Sequence, residues 1–295
     1  MNSVALLQTG AAAVLTGAFA WLAGVLLALV WLARPATPSA PQFHQLIAVR
    51  LRRSALGAGV LCLAALGASL WAAAAIMGDT GLADATGMLL PVLTGTAYGQ
   101  AGLAAMAAAA ILGHSQASAG RYAAGIGAAA MLGFALARAS ISHAGEHGIA
   151  SVPYAVEVVH LLLVAVWLGG VWLAAWQVVP TARAANAALP AYLATLSAWA
   201  TAALAGIVAS GLWNAWQRFD SPQQVVDNAY GLALCVKLCL FSIAVLLGGY
   251  NRFIGFPRAP RDGAARALLV LRVESIILAM SLLVAAYLSV QPPPG

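Results

Sequence analysis

Between Ser140 and Gly170 the chain reads SISHAGEHGIASVPYAVEVVHLLLVAVWLGG, which sets His143, His147 and His160 and the carboxylates Glu146 and Glu157 beside an apolar run. Imidazole accepts both Cu(II) and Cu(I), and two or three imidazoles with a carboxylate make a donor set able to capture a cation. The candidate metal ligands are therefore His143, His147, His160 and Glu157. Glu157 and His160 are three residues apart and share one face of a helix. Such a pair is either a carboxylate orienting a metal-bound imidazole or two polar groups satisfying each other. Asn214 falls at the same end of the following span.

A second set stands further along. Cys235 and Cys239 in CVKLC lie one helical turn apart, and two thiols there could pass a soft cation such as Cu(I) inward; equally, buried free cysteine is an ordinary small apolar residue. With Lys237 and Glu274 they form a possible relay. Arg138, Lys237 and Glu274 also read as charge-balancing partners inside a bundle, because ionisable groups within a bilayer are costly unless paired or hydrated. Trp167, Trp172 and Trp176 read as packing or interface residues. His44 is expected in a loop and His114 at a span end, both as solvated groups.

The elements that must carry these residues follow from composition. Of 295 residues, 63% are hydrophobic and 7% charged, far below the roughly one quarter charged of a soluble domain. A soluble enzyme is excluded on that ground, and no catalytic set is expected. Met1 to Ala33 has no positive residue ahead of its apolar run, so it is expected to be a retained first span and not a signal peptide. Cys62, Cys235 and Cys239 all lie in apolar segments and imply no disulfide framework. The net charge of +6 gathers in loops and points to topology and lipid headgroups, not to nucleic acid.

A hydrocarbon core of about 30 Å takes roughly 20 helical residues. Cutting the chain at charges, prolines and polar clusters gives an all-α integral membrane protein of about eight transmembrane helices, near 7–33, 54–77, 94–113, 122–141, 154–178, 191–216, 230–250 and 267–290. The third, alanine-rich and carrying Gln100, is the weakest of them. Arginines at 34, 50, 52, 53, 121, 183, 252, 258, 261 and 266 fall in loops after odd-numbered spans, which the positive-inside rule assigns to the cytoplasm. The alternate loops hold Asp79, Asp84, Glu146, Asp220 and Asp227, with Arg218 the main exception, so both termini are expected to be periplasmic. Pro35 to Pro41 and the final QPPPG read as short irregular stretches. Gly95 and Gly99 have GxxxG spacing, a weak helix-contact signal in so small-residue-rich a chain. With no long soluble segment and no fixed-period repeat, residues 1–295 are expected to form a single transmembrane domain.

The stretch SHA at 142–144, HLLLVAVWLGGVWLA from His160, YGLALCVKLCLFSIAVLLGGYNR from Tyr230 and LRVESIILAMSLLVAAYLSVQPP from Leu271 together resemble the copper resistance protein D family, CopD or PcoD. The CopD-like region spans residues 138–293. Its most specific piece is His160 leading into Trp167, Gly169 and Gly170, joined in order by Lys237, Asn251, Arg252 and Glu274. The resemblance implies a multi-pass protein of the bacterial inner membrane that moves a copper ion, Cu(I) or Cu(II), from periplasm to cytoplasm, beside a soluble periplasmic copper protein of the CopC type. His143 and His160 match family histidines; His147, Cys235 and Cys239 are not carried over from it. The chain lacks a methionine-rich or histidine-rich tract, so a storage role is not expected. Two alternatives stand beside copper transport: a haem-binding electron-transfer protein using two of the histidines, and a membrane assembly or structural partner.

Overall fold

In a computed structural model of the chain, residues 3–33, 41–118, 120–187, 189–216 and 229–289 are described, and all their regular structure is helical. Arg34, Pro35, Arg218, Asp220, Asp227 and the final QPPPG lie outside these residues. The helices are α1 (Ser3–Leu32), α2 (Pro41–Met77), α3 (Thr86–Gly95), α4 (Ala97–Ala117), α5 (Ala123–Ala139), α6 (His143–Glu146), α7 (Val152–Leu173), α8 (Val179–Ala184), α9 (Pro190–Trp216), α10 (Ala229–Tyr250), α11 (Phe256–Asp262) and α12 (Ala265–Ser289). Helices are the form that such apolar sequence must take in lipid, because each backbone N–H and C=O is satisfied within its own segment.

Among the described residues, six rods are long and apolar enough to cross a membrane: Ser3–Leu32, Gln42–Met77, Val152–Ala184, Pro190–Asn214, Tyr230–Asp262 and Ala265–Ser289. The expected third span is different. It is a pair, α3 and α4, bent by 84° at Thr96. Thr96 leaves the helical region and its hydroxyl accepts from the Gly99 N–H, so it caps α4 afresh. Gly99 serves this bend and not a helix pair: a Cβ there would overlap the Val92 carbonyl, whereas Gly95 has nothing within 4 Å of its Cβ position. The expected fourth span is the 17-residue α5.

Several arginines expected in loops are in helices instead. Arg50, Arg52 and Arg53, with His44, belong to α2, which starts at Pro41 and not at residue 54. Proline suits a first helical turn, where its missing N–H has no partner to lose, and nothing from Gln42 to Arg53 breaks a helix. Arg183 is in α8, Arg258 and Arg261 are in α11, and Arg266 is in α12. Helix thus continues past the apolar stretch, with one of these arginines tying two rods together: Arg50 Nη1 donates to Thr181 Oγ1 at 3.1 Å.

α1 is the central rod. It has no ionisable side chain, packs against α2, α7 and α12, and has 61% of its most apolar stretch buried, against 11% for Tyr230–Asp262. Lipid tails are as apolar as leucine, so close packing and not transfer from water must hold such rods together. Gly24 and Gly169 supply it where α1 crosses α7. A Cβ on Gly169 would overlap the Ala20 carbonyl oxygen, and one on Gly24 the Gly169 carbonyl.

Two rods carry π-helical turns, Ala174–Val178 after α7 and Asn251–Gly255 after α10. Each is followed two residues later by a proline, Pro180 and Pro257. A proline ring clashes with the carbonyl four residues back, here of Trp176 and Phe253, and a wider turn lets that carbonyl move aside while the rod continues. Single π turns of this kind recur at functional sites. The second one places Asn251.

Candidate functional site

Polar side chains collect in two places, one at the His160 end of α7 and one deeper, around Glu274. At the first, the α7 N-terminus is set by Ser151, whose hydroxyl accepts from the Tyr154 N–H, followed by Pro153 in the first turn. Tyr154 then anchors the end of α5 by donating its hydroxyl to Leu136 O at 2.9 Å. One turn on, half-buried Glu157 Oε2 accepts from Asn214 Nδ2 at 3.2 Å. His160 Nδ1 lies 2.8 Å from Ser210 Oγ, and Ser210 is buried. Both partners come from α9.

The Ser210 hydroxyl is within bonding distance of the imidazole and of two backbone carbonyls, Gly206 O at 2.6 Å and Ile207 O at 3.2 Å. When its proton goes to Gly206 O, Oγ accepts from His160 and Nδ1 is the donor. A neutral ring then carries its lone pair on Nε2. This is the tautomer lock found behind metal-bound histidines, where the second ring nitrogen donates to a fixed oxygen. Lys237 on α10 lies within electrostatic reach of the same ring.

His143 opens the short helix α6, and His147 caps its end. His143 Nδ1 lies 3.3 Å from Glu146 Oε1, with side chains 61% and 74% exposed. These histidines are thus at the surface, and His160 is within the bundle. Glu157 is joined to Asn214 and His160 to Ser210, not to each other. Among the described residues, no three His, Cys, Asp or Glu side chains gather closely enough to hold a metal ion. Cys235 is half-buried and Cys239 exposed, both as free thiols. Ser210 is the residue that sequence reasoning missed, because one more serine in a helix rich in small residues gives no signal of its own.

The second region is a cavity of about 80 Å³ lined by Trp167 of α7, Ser197 and Thr201 of α9, Gly248 of α10, Asn251 and Arg252 of the π turn, and Glu274 of α12. Glu274 is 2% exposed and Asn251 1%. Trp167 lines the cavity together with the Glu274 carboxylate. Asn251 Nδ2 donates to Ala267 O at 3.4 Å, while its Oδ1 is buried without a hydrogen-bond partner among the described residues. Gly255, one turn on, leaves that oxygen its room, since a Cβ there would overlap it. At the exposed rim, Arg252 Nη1 donates to Thr201 Oγ1 at 2.8 Å, Ser197 Oγ at 3.1 Å and Ser197 O at 3.2 Å. Gly248 lets α10 approach, because a Cβ there would stand 3.2 Å from Glu274 Oε1. Two tryptophans hold α12 beside the cavity: Trp172 Nε1 donates to Ser275 O at 2.9 Å and Trp176 Nε1 to Ser275 Oγ at 3.0 Å.

Cys235 and Cys239 stand well apart from that cavity. Cys239 is nine residues from Gly248 on α10, or about 13 Å along the axis. His160 is seven residues from Trp167, or about 10 Å. The relay residues are therefore spread along the bundle, not clustered.

Residues 190–288 match the family model described as CopD, copper resistance protein D. The resemblance read from the sequence is borne out over that segment, which holds Ser197, Thr201, Ser210, Asn251, Arg252 and Glu274. A curated relative, "Copper transport protein CutJ" of Bacillus subtilis (strain 168), is 29% identical over 164 residues. That match covers 55% of this chain and 30% of the relative's length. No solved structure matches the chain.

Proposed function

We propose that the chain is a multi-pass protein of the bacterial inner membrane that takes up copper at the His160 end and moves it from periplasm to cytoplasm. The observation that carries the reading is the His160–Ser210 bond, which, in the tautomer that donates from Nδ1, leaves the Nε2 lone pair to bind a metal on a helix beside the CopD segment. The CopD match and the copper transport relative support copper as the ligand. His143 and His147 at the surface receive the ion first, with Glu146 beside His143; His160 and Glu157 lie one step further in. Cys235, Cys239 and Lys237 then line the way towards Glu274. Eight crossings, counting the bent α3–α4 pair and α5, put both termini and the His160 end on the periplasmic side, where a CopC-type protein would deliver its copper. No catalytic step is involved.

Copper binding to the purified full chain tests this. The wild type should bind copper, and the variant with His143, His147 and His160 all changed to alanine should lose it. Unchanged stoichiometry and affinity in that variant would overturn the reading. A Soret band in the purified wild type would replace it with haem binding.

A further inference from the structure

We propose that the cavity around Glu274 is a site for a hard monovalent cation, a sodium ion or a proton carried on water, held by the Glu274 carboxylate and Asn251 Oδ1. This goes beyond the copper reading and does not depend on it.

Two buried groups bring acceptor oxygens to the cavity, Glu274 and Asn251. Glu274 is buried at membrane depth, where an ionisable group needs a counter-charge or a proton. Trp167 in the same lining carries one neutral N–H. Asn251 also lines the space, its Oδ1 has no hydrogen-bond partner among the described residues, and a buried acceptor without a partner is costly. Oxygen donors of this kind suit hard cations and suit Cu(I) poorly. The volume, about 80 Å³, has room for a cation with water.

Among the described residues no basic side chain forms an ion pair with the carboxylate. The ion pair found among the described residues joins His143 to Glu146 and leaves Glu274 out. Arg252 is the one charged group besides Glu274 lining the cavity, and its Nη1 is engaged at the rim with Ser197 and Thr201. On α12 itself, Arg272 lies over the Trp176 ring at 5.2 Å, Arg266 is two turns away, and Tyr287 is more than three turns away in the other direction. From the helices packed against α12, α1 brings no ionisable group, and α7 brings Tyr154, Glu157 and His160, about 10 Å or more away along its axis. α10 brings Lys237, about 16 Å from Gly248, with Cys235, Cys239 and Tyr230 on the same side and Tyr250 at its other end. Arg258, Arg261 and Asp262 of α11 stand at the end of the rod.

The test uses the purified, copper-free full chain in a choline buffer. Radioactive sodium binding and the infrared C=O band of a protonated carboxylic acid are measured on the wild type, Glu274→Gln, Gly248→Ala and Asn251→Ala. Saturable sodium binding that Glu274→Gln abolishes identifies sodium as the cation. A carboxylic-acid band at neutral pH that Glu274→Gln abolishes, without sodium binding, identifies the proton. In the sodium case, Gly248→Ala and Asn251→Ala should each weaken binding roughly tenfold; in the proton case they should move the band. If the wild type shows neither signal, or if its signal survives Glu274→Gln, the proposal is overturned. Should Glu274→Gln fail to fold, the two milder variants decide, and a signal that neither alters overturns it too. Copper binding is absent from every arm, so a failure of the copper reading leaves the result standing.

Discussion

The His160 end and the Glu274 cavity are built from the same rods but solve opposite problems. At the His160 end the two polar groups that α7 carries inward each have a partner from α9: Glu157 has Asn214, and His160 has Ser210. What remains is a single imidazole lone pair. In the cavity the buried groups are oxygens, the Glu274 carboxylate and Asn251 Oδ1, the latter without a hydrogen-bond partner among the described residues. On the readings proposed above, the first would suit a borderline-soft cation and the second a hard one, so donor type alone would separate them.

The widest test breaks both regions together. Gly169→Val would drive a side chain into the α1 backbone at Ala20, and overpacking of this kind costs about 1–3 kcal/mol or more. Thermal unfolding of the purified protein should show a lower midpoint, and copper binding should fall with it. A Gly169→Val protein as stable as the wild type would mean that α1 and α7 do not meet as described. Next in size is His160→Ala, which removes the nitrogen itself. Copper affinity should drop by more than about 100-fold, since loss of an orienting partner alone costs roughly 10–100-fold. Ser210→Ala should then cost about tenfold, by freeing the ring to turn. Equal losses from these two variants would contradict a role for Ser210 through His160.

Much of this was legible in the sequence, and the exceptions have physical causes. The apolar runs marked the rods, because a bilayer demands about 20 such residues per crossing. The bend at Thr96 was hidden: its driver is a side-chain cap on Gly99, and hydropathy does not register a change of direction. The arginines of α2 and α11 were misplaced for a related reason, since charge marks the end of lipid but not the end of a helix. The sequence sets His143, His147 and His160 beside one apolar run, yet spacing along the chain carries no azimuth between rods, so the pairing of His143 with Glu146 and of His160 with Ser210 could not be read. Asn251 could be seen only as a piece of a family resemblance, Arg252 also as a topology signal and Glu274 also as a relay or charge-balancing group, because the π turn that brings the first two to the Glu274 cavity is a matter of backbone geometry.

The smallest expected effect is the one that separates the two regions most sharply. Glu274→Gln keeps the size of the side chain and changes only its capacity for charge. Its cavity is about 10 Å from His160 along α7, and substitutions that far apart without shared partners combine additively. Trp167, Asn251 and Arg252 line the cavity with Glu274, whereas His160 bonds Ser210, so none of these side chains is common to both. Copper affinity at the His160 end should therefore change less than about threefold in Glu274→Gln, and the effect of His160→Ala should be the same in either background. A double-variant cycle measured by copper titration checks this. A coupling as large as the His160→Ala effect itself would mean that copper reaches both groups in one bound state, and the two regions would then be a single site.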